Sequence, residues 1–278
     1  LEYESAKDYE QAITLFSGIK DYKDAATHLA DCQAMVDSIA AFETAKEAVT
    51  KKNDEFKKLI DESSKMLNSE DIPLDDKLIS KLENAVSDAK TEIADVPEMP
   101  ESAEDINKAA EELNKVDYKD AISSLNDVKG KYETSVKKYN LVNQPSEKYV
   151  IKCLKRVKNV IGIGAVTEDN DPNGKLNKAG GYTATVYFAS KYLNPKKIDG
   201  KTVVDKGTDC GGAIEVYTCS EDAVKRDEYL AGFDGTILCS GSHTVIGTVV
   251  VRTSDELPAS KQKKLEKMII KELTRIKD

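Results

Sequence analysis

Apolar residues recur at helical spacing through the front half of the chain and alternate with polar ones beyond residue 145. Between residues 36 and 67, Ile39, Phe42, Ala45, Val49, Phe56, Ile60 and Ser63 step by three, four or seven and predict one long amphipathic helix. Pro73 ends the connection that follows, and Leu74, Leu78, Leu82, Ala85, Ala89 and Ile93 predict a second helix stopped before Pro97 and Pro100. Ser102 with Asp105 makes a capping box with Asp in place of Glu, and opens a third helical stretch through Ile106, Leu113, Ile122, Leu125 and Tyr132. A kink is expected near residues 115–117. Three apolar stripes joined by two proline-bearing links predict an antiparallel helical bundle rather than a coiled-coil dimer, which requires stricter heptads.

At Asn143-Gln144-Pro145 the pattern changes, and glycines and β-branched runs begin. Ser146 is placed to cap a helix whose one face carries Val150, Cys153, Leu154 and Val157. Four strands are predicted at 160–166, 182–188, 213–218 and 245–253, with a helix over 221–231 capped by Ser220 and a last helix over 258–276. The order α-β-β-β-α-β-α predicts an α+β fold, a four-stranded, largely antiparallel sheet with helices on one face. The domain plan is a helical hairpin at 1–34, the bundle as stalk or spacer at 35–143, and the α/β domain at 144–278.

One phrase recurs, Asp8-Tyr9-Glu10-Gln11-Ala12, Asp21-Tyr22-Lys23-Asp24-Ala25 and Asp117-Tyr118-Lys119-Asp120-Ala121, with Tyr and Ala three apart on one helix face. The first two copies, with Gly18 between them, resemble a tetratricopeptide-type helical hairpin, which implies a partner-binding groove; the likeness covers residues 3–33, a single unit.

The formal net charge of −9 is unevenly shared. Residues 144–278 carry 22 Lys and Arg against 18 Asp and Glu, whereas residues 1–143 carry 19 against 32. The acidic front half repels phosphate backbones and the back half is only slightly basic, so no nucleic-acid partner is expected. No run of 18 apolar residues exists, so no membrane span is expected within the chain. The five cysteines, Cys32, Cys153, Cys210, Cys219 and Cys239, form no Cys-x-x-Cys pair, which speaks against a zinc site and a disulfide framework. Cys210 and Cys239, both beside glycines, would pair only if the fold brought them together. The chain opens at Leu1, and an anchoring segment upstream of it is expected.

Three segments carry candidate chemistry. Asp169, Asp171 and Asn173, two apart and followed by Gly174, match the start of a calcium loop, but position twelve is Gly180 where a bidentate Glu belongs. Asp-Pro-Asn-Gly turn chemistry is the favoured reading, with calcium the alternative; no other metal and no cofactor is expected. Gly211 and Gly212 precede a strand and offer backbone N–H groups to an anion or a partner chain, while Glu215 faces away from Ile214 and Val216 as a solvated strand residue. His243 stands at a strand start within Ser240-Gly241-Ser242-His243, and Arg252, on the face of Ile246 and Val250, either pairs with Glu215 or binds an anion. Tyr182, next to Gly180-Gly181, completes the set.

The phrases Glu168-Asp169-Asn170-Asp171-Pro172-Asn173-Gly174, Gly180-Gly181-Tyr182, Ile214-Glu215-Val216-Tyr217, Gly241-Ser242-His243 and Arg252-Thr253-Ser254 resemble a C-terminal α/β domain of secreted or membrane-anchored proteins of Gram-positive bacteria. The likeness covers residues 146–274. It implies an extracellular or cell-surface location on an anchored stalk, and it transfers no activity. Two functions follow as expectations. One is a surface binding module for a protein, peptide or glycan. The alternative is a hydrolase using His243 with Asp169 or Asp171 and Arg252.

Overall fold

The computed structural model describes residues 2–5, 7–236 and 241–277. They form two compact units, Leu1–Glu70 with Lys77–Gly130, and Asp71–Asp76 with Lys131–Asp278.

The first unit holds helices α1 (Glu2–Ser5), α2 (Tyr9–Gly18), α3 (Ala25–Leu67), α4 (Lys77–Thr91), α5 (Ala103–Asn114) and the start of α6 (Lys119–Val142). The Asp of the repeated phrase acts as a helix-start signal. Asp8 accepts the Gln11 N–H at 3.3 Å and Asp117 accepts the Lys119 N–H at 3.0 Å. Ser102 caps α5 by accepting the Asp105 N–H at 3.1 Å, while its own hydroxyl donates to the Asp105 carboxylate at 2.7 Å. The expected kink is a full break between α5 and α6. Phe42, Ala45 and Val49 of α3 pack on Ile106, Ala110 and Leu113 of α5. Further along, Lys52 Nζ donates to the Val116 carbonyl at 2.6 Å and Lys129 Nζ pairs with Glu62 at 2.9 Å, so α3 and α5–α6 run in the same direction with α4 reversed. A buried polar knot fixes this register. Tyr118 stacks on Phe56 at 4.8 Å and donates to Asn53, Asn53 donates to the Ala94 carbonyl at 2.9 Å, and the Ala94 N–H donates to the Tyr118 hydroxyl at 2.8 Å.

The second unit is an α+β layer structure. Its sheet has five strands, β1 (Val160–Ala165), β2 (Ala184–Ser190), β3 (Gly211–Val216), β4 (His243–Ile246) and β5 (Val249–Thr253), in the order β1-β2-β3-β5-β4 with every pair antiparallel. The expected four strands become five because Gly247, at φ +59°, turns the last predicted strand into a hairpin. Helix α7 (Glu147–Leu154), capped by Ser146 accepting the Tyr149 N–H at 3.2 Å, packs on one face with α9 (Ala259–Leu273). There Val150, Leu154, Leu265 and Ile269 meet Val186, Phe188, Ile214 and Val251, all buried. Val142 at the end of α6 belongs to this core, and its carbonyl accepts the Thr248 N–H at 3.1 Å. Helix α8 (Ser220–Ala231) lies on the opposite face, where Ala223 and Leu230 pack with Tyr182, Tyr217 and Val250. Helices therefore cover both faces, not one, because Val250 alternates with Val249 and Val251 and requires its own apolar cover. Cys219, not Ser220, is the N-cap residue of α8, and its side chain makes no capping bond. Cys32, Cys153 and Cys210 are buried free thiols, and Cys239, like Ser240, lies outside the described residues.

Candidate functional site

Strand alternation sends Thr185 and Tyr187 of β2, Ala213 and Glu215 of β3, Arg252 of β5 and His243 of β4 to the α8 face. Glu215 stands opposite Thr185 on one side and Val250 on the other, and Arg252 opposite both Ala213 and His243. The expectation of a solvated glutamate is overturned. Glu215 is 0% exposed. The reason is Arg226, which descends from α8 and grips both carboxylate oxygens, Nε to Oε2 at 2.9 Å and Nη2 to Oε1 at 3.1 Å. Arg252 Nη1 adds a contact to Oε1 at 2.8 Å, and the Tyr217 hydroxyl donates to Oε2 at 2.8 Å.

Burial by itself would raise the Glu215 carboxyl, but the Arg252 charge and the Arg226 hydrogen bonds outweigh it and hold the group below the ordinary glutamate range. The Tyr217 hydroxyl is pushed well above its usual value by burial and by the adjacent carboxylate. Of the two readings open for Arg252, pairing with Glu215 is the one observed, though it engages a single guanidinium nitrogen. Two buried side-chain polar atoms among the described residues lack a hydrogen-bond partner, Arg252 Nε and Thr185 Oγ1. Both belong to residues on this face.

The 167–182 segment borders the same face. Asp171 Oδ1 accepts the Asn173 N–H at 3.0 Å and the Tyr182 hydroxyl, and Oδ2 accepts the Lys175 and Leu176 N–H groups at 2.6 and 2.8 Å. The Asp171 carboxylate thus organises a turn, its oxygens facing donors rather than a cation. Burial works against its ionisation, yet the Tyr182 and backbone hydrogen bonds hold it below the usual aspartate range. Asn173 Nδ2 reaches the Tyr182 hydroxyl at 3.3 Å, and the Tyr182 ring meets Tyr217 edge-on at 6.4 Å, which links the turn to the Glu215 knot. Asp169 is exposed and takes no part in this network. No cluster of three or more His, Cys, Asp or Glu residues suited to a metal occurs among the described residues.

Gly211 and Gly212 are not an anion nest. They are β3 residues paired with Ala189 and Phe188 in the ladder, so their requirement is close approach. A Cβ on Gly212 (φ +154°) would lie 2.1 Å from the Arg252 carbonyl oxygen and 2.5 Å from the Phe188 ring.

His243 is adjacent to Arg252 across the β4–β5 ladder but bonds elsewhere. Its Nδ1 lies 2.6 Å from Asp227 Oδ1 on α8, and Nε2 lies 3.5 Å from Asp234 Oδ2. Neither Asp169 nor Asp171 is its partner. With a carboxylate at each ring nitrogen, His243 presents no nitrogen to a nucleophile among the described residues. Ser242 points to the other side of β4, where its hydroxyl meets Thr253 at 2.7 Å and donates to Glu266 at 3.1 Å.

Two clefts open beside Arg226. One, of about 560 Å³, is lined by Tyr182, Tyr217, Lys225 and Tyr229; the other, of about 530 Å³, by Tyr187, Arg252, Leu230 and Phe233. Asn173, Arg226 and Tyr229 border both. Of the expected site residues, Asp171, Asn173, Tyr182, Glu215 and Arg252 are brought into one connected group, and Asp169, Gly211, Gly212 and His243 are not part of it. Arg226, Tyr217 and Asp227 escape sequence reasoning. A signal for Arg226 existed, since it falls with Ala223 and Leu230 on one stripe of α8 and so on the sheet-facing side. Comparison of the chain with family models, with curated proteins and with solved structures gives no match.

Proposed function

We propose that the second unit is a non-enzymatic binding module whose ligand, a peptide or glycan, lies on the α8 face against Arg226 and Tyr229. The observation that carries this reading is the pair of clefts sharing Asn173, Arg226 and Tyr229 over a floor already locked by the Glu215 knot. A binding site needs preformed, rigid walls with a few polar groups, and this one has them. A hydrolase needs a nucleophile next to a base, and His243 is engaged by Asp227 and Asp234. The same reading casts the acidic helices as a spacer and, on the resemblance of the back half to anchored surface proteins, places the module at the cell exterior.

Peptide and glycan arrays screened with the full chain, followed by hydrogen-exchange footprinting of the binders, test it. Protection over α8 and residues 171–182 is the expected result. Binders that protect only the helical unit, or hydrolysis of a bound ligand that His243→Ala abolishes, would overturn it.

A further inference from the structure

We infer that the ligand of the α8 face carries a single carboxylate, seated against Nη2 of Arg252 in the cleft that Arg252 shares with Arg226. This rests on the binding-module reading and adds the chemistry of its ligand.

Arg226 presents its Nε and Nη2 side by side to the two oxygens of Glu215, the fork geometry that matches a carboxylate. Arg252 touches the same glutamate through Nη1 alone. Its Nη2 makes no hydrogen bond among the described residues and stays accessible, while Nε, likewise without a partner, is fully buried. An unpartnered donor on a largely buried guanidinium is costly, and natural folds keep one mainly where something else completes it. The Arg252 side chain is only 9% exposed and lines a cleft of about 530 Å³, so it is a built feature of a concavity and not a surface cation.

Charge selects the class. Two guanidinium groups surround one buried carboxylate, which leaves one positive charge in excess at the base of the cleft. One negative charge balances it. A phosphate dianion would bring a second charge towards Asp205 and Asp209, exposed carboxylates on the rim. Lys206, the other cation lining the cleft, already donates to the Pro195 and Ile198 carbonyls at 2.8 Å each. Leu230, Phe233 and Tyr229 supply an apolar wall, which suits a carboxylate attached to a hydrophobic or ring-shaped body. The C-terminus of a peptide and a uronic acid at the end of a glycan share this chemistry.

The full chain, labelled with ¹⁵N on its arginine side chains, is titrated with N-acetylphenylalanine, its neutral amide, glucuronate, glucose and inorganic phosphate. The Arg252 and Arg226 Nε–H resonances are the readout. A saturable shift of the Arg252 resonance by N-acetylphenylalanine points to a peptide terminus, and by glucuronate to an acidic sugar. The amide and glucose are expected to leave it unmoved. Arg252→Lys keeps the charge but loses the open guanidinium nitrogen, and is expected to weaken the carboxylate by about tenfold, read on the Arg226 resonance. Should the neutral probes bind the cleft as well as the acids, or phosphate bind better, the single-carboxylate inference falls while the binding-module reading stands. If neither acid moves Arg252 at about 10 mM, the inference fails, and if no probe binds and the arrays are also empty, both fail together.

Discussion

Glu215→Gln tests the central knot most directly. The substitution keeps the shape of the side chain and deletes its charge, leaving Arg226 and Arg252 facing each other in a site where the carboxylate was 0% exposed. Four donors lose an ionised acceptor, three from the guanidiniums at 2.8–3.1 Å and one from Tyr217 at 2.8 Å. Removing one partner of a buried ion pair costs about 3–5 kcal/mol, and the doubled cation places this case towards the upper end. A melting curve of the whole chain would mix two units, so native-state hydrogen exchange on the β3 and β5 amides is the assay, because it reads the opening of this unit alone. The slowest of these amides are expected to exchange faster by about three powers of ten. Replacing the set together, with Glu215→Leu, Arg226→Met and Arg252→Met, is expected to restore most of the loss, since no charge is then left unpaired. A cost below about 1 kcal/mol for Glu215→Gln is the behaviour of a hydrated surface pair and would refute the buried knot. The same carboxylate sets an acid limb. Its folded pKa lies below the unfolded one, so its contribution is complete above the unfolded value of about 4.3 and fades as pH falls through the folded value. In Glu215→Gln that part of the acid sensitivity is expected to vanish.

Other positions give independent checks. Tyr118→Phe strips the buried Asn53 and Ala94 groups of a partner and is expected to destabilise the first unit by about 1–3 kcal/mol in denaturant unfolding, whereas Tyr22→Phe, at a residue 61% exposed, is expected to change nothing. Gly212→Ala forces a methyl group within 2.1 Å of the Arg252 carbonyl and is expected to cost about 3 kcal/mol or more, visible as lost β3–β5 exchange protection. Calcium is expected to leave the melting midpoint where a chelator leaves it, because donors already occupy the Asp171 oxygens; an upward shift would restore the calcium reading.

Much of the architecture is legible in the chain because it is local. Ser102 and Ser146 sit where their capping bonds form, and the break between α5 and α6 falls at the expected kink. The errors have local causes as well. Gly247 reads as one more strand residue until its φ of +59° splits the strand in two, and Gly211-Gly212 reads as a loop although the pair lies inside the ladder. The turn at Asp171 is local too, since Asp, Pro, Asn and Gly specify one within four residues.

Spacing, caps and turn residues act over a few positions, and they suffice to divide this chain into helical and strand-forming stretches. The burial of a charge is a different kind of decision. Glu215 is buried only because Arg226, eleven residues away on α8, and Arg252, thirty-seven residues away on β5, arrive at the same point of the sheet. No local rule ties those three positions together. The assembled sheet and the helix laid across it bring the opposite charges within hydrogen-bond distance, and that proximity turns a glutamate that alternation alone would leave in water into the anchor of a cleft.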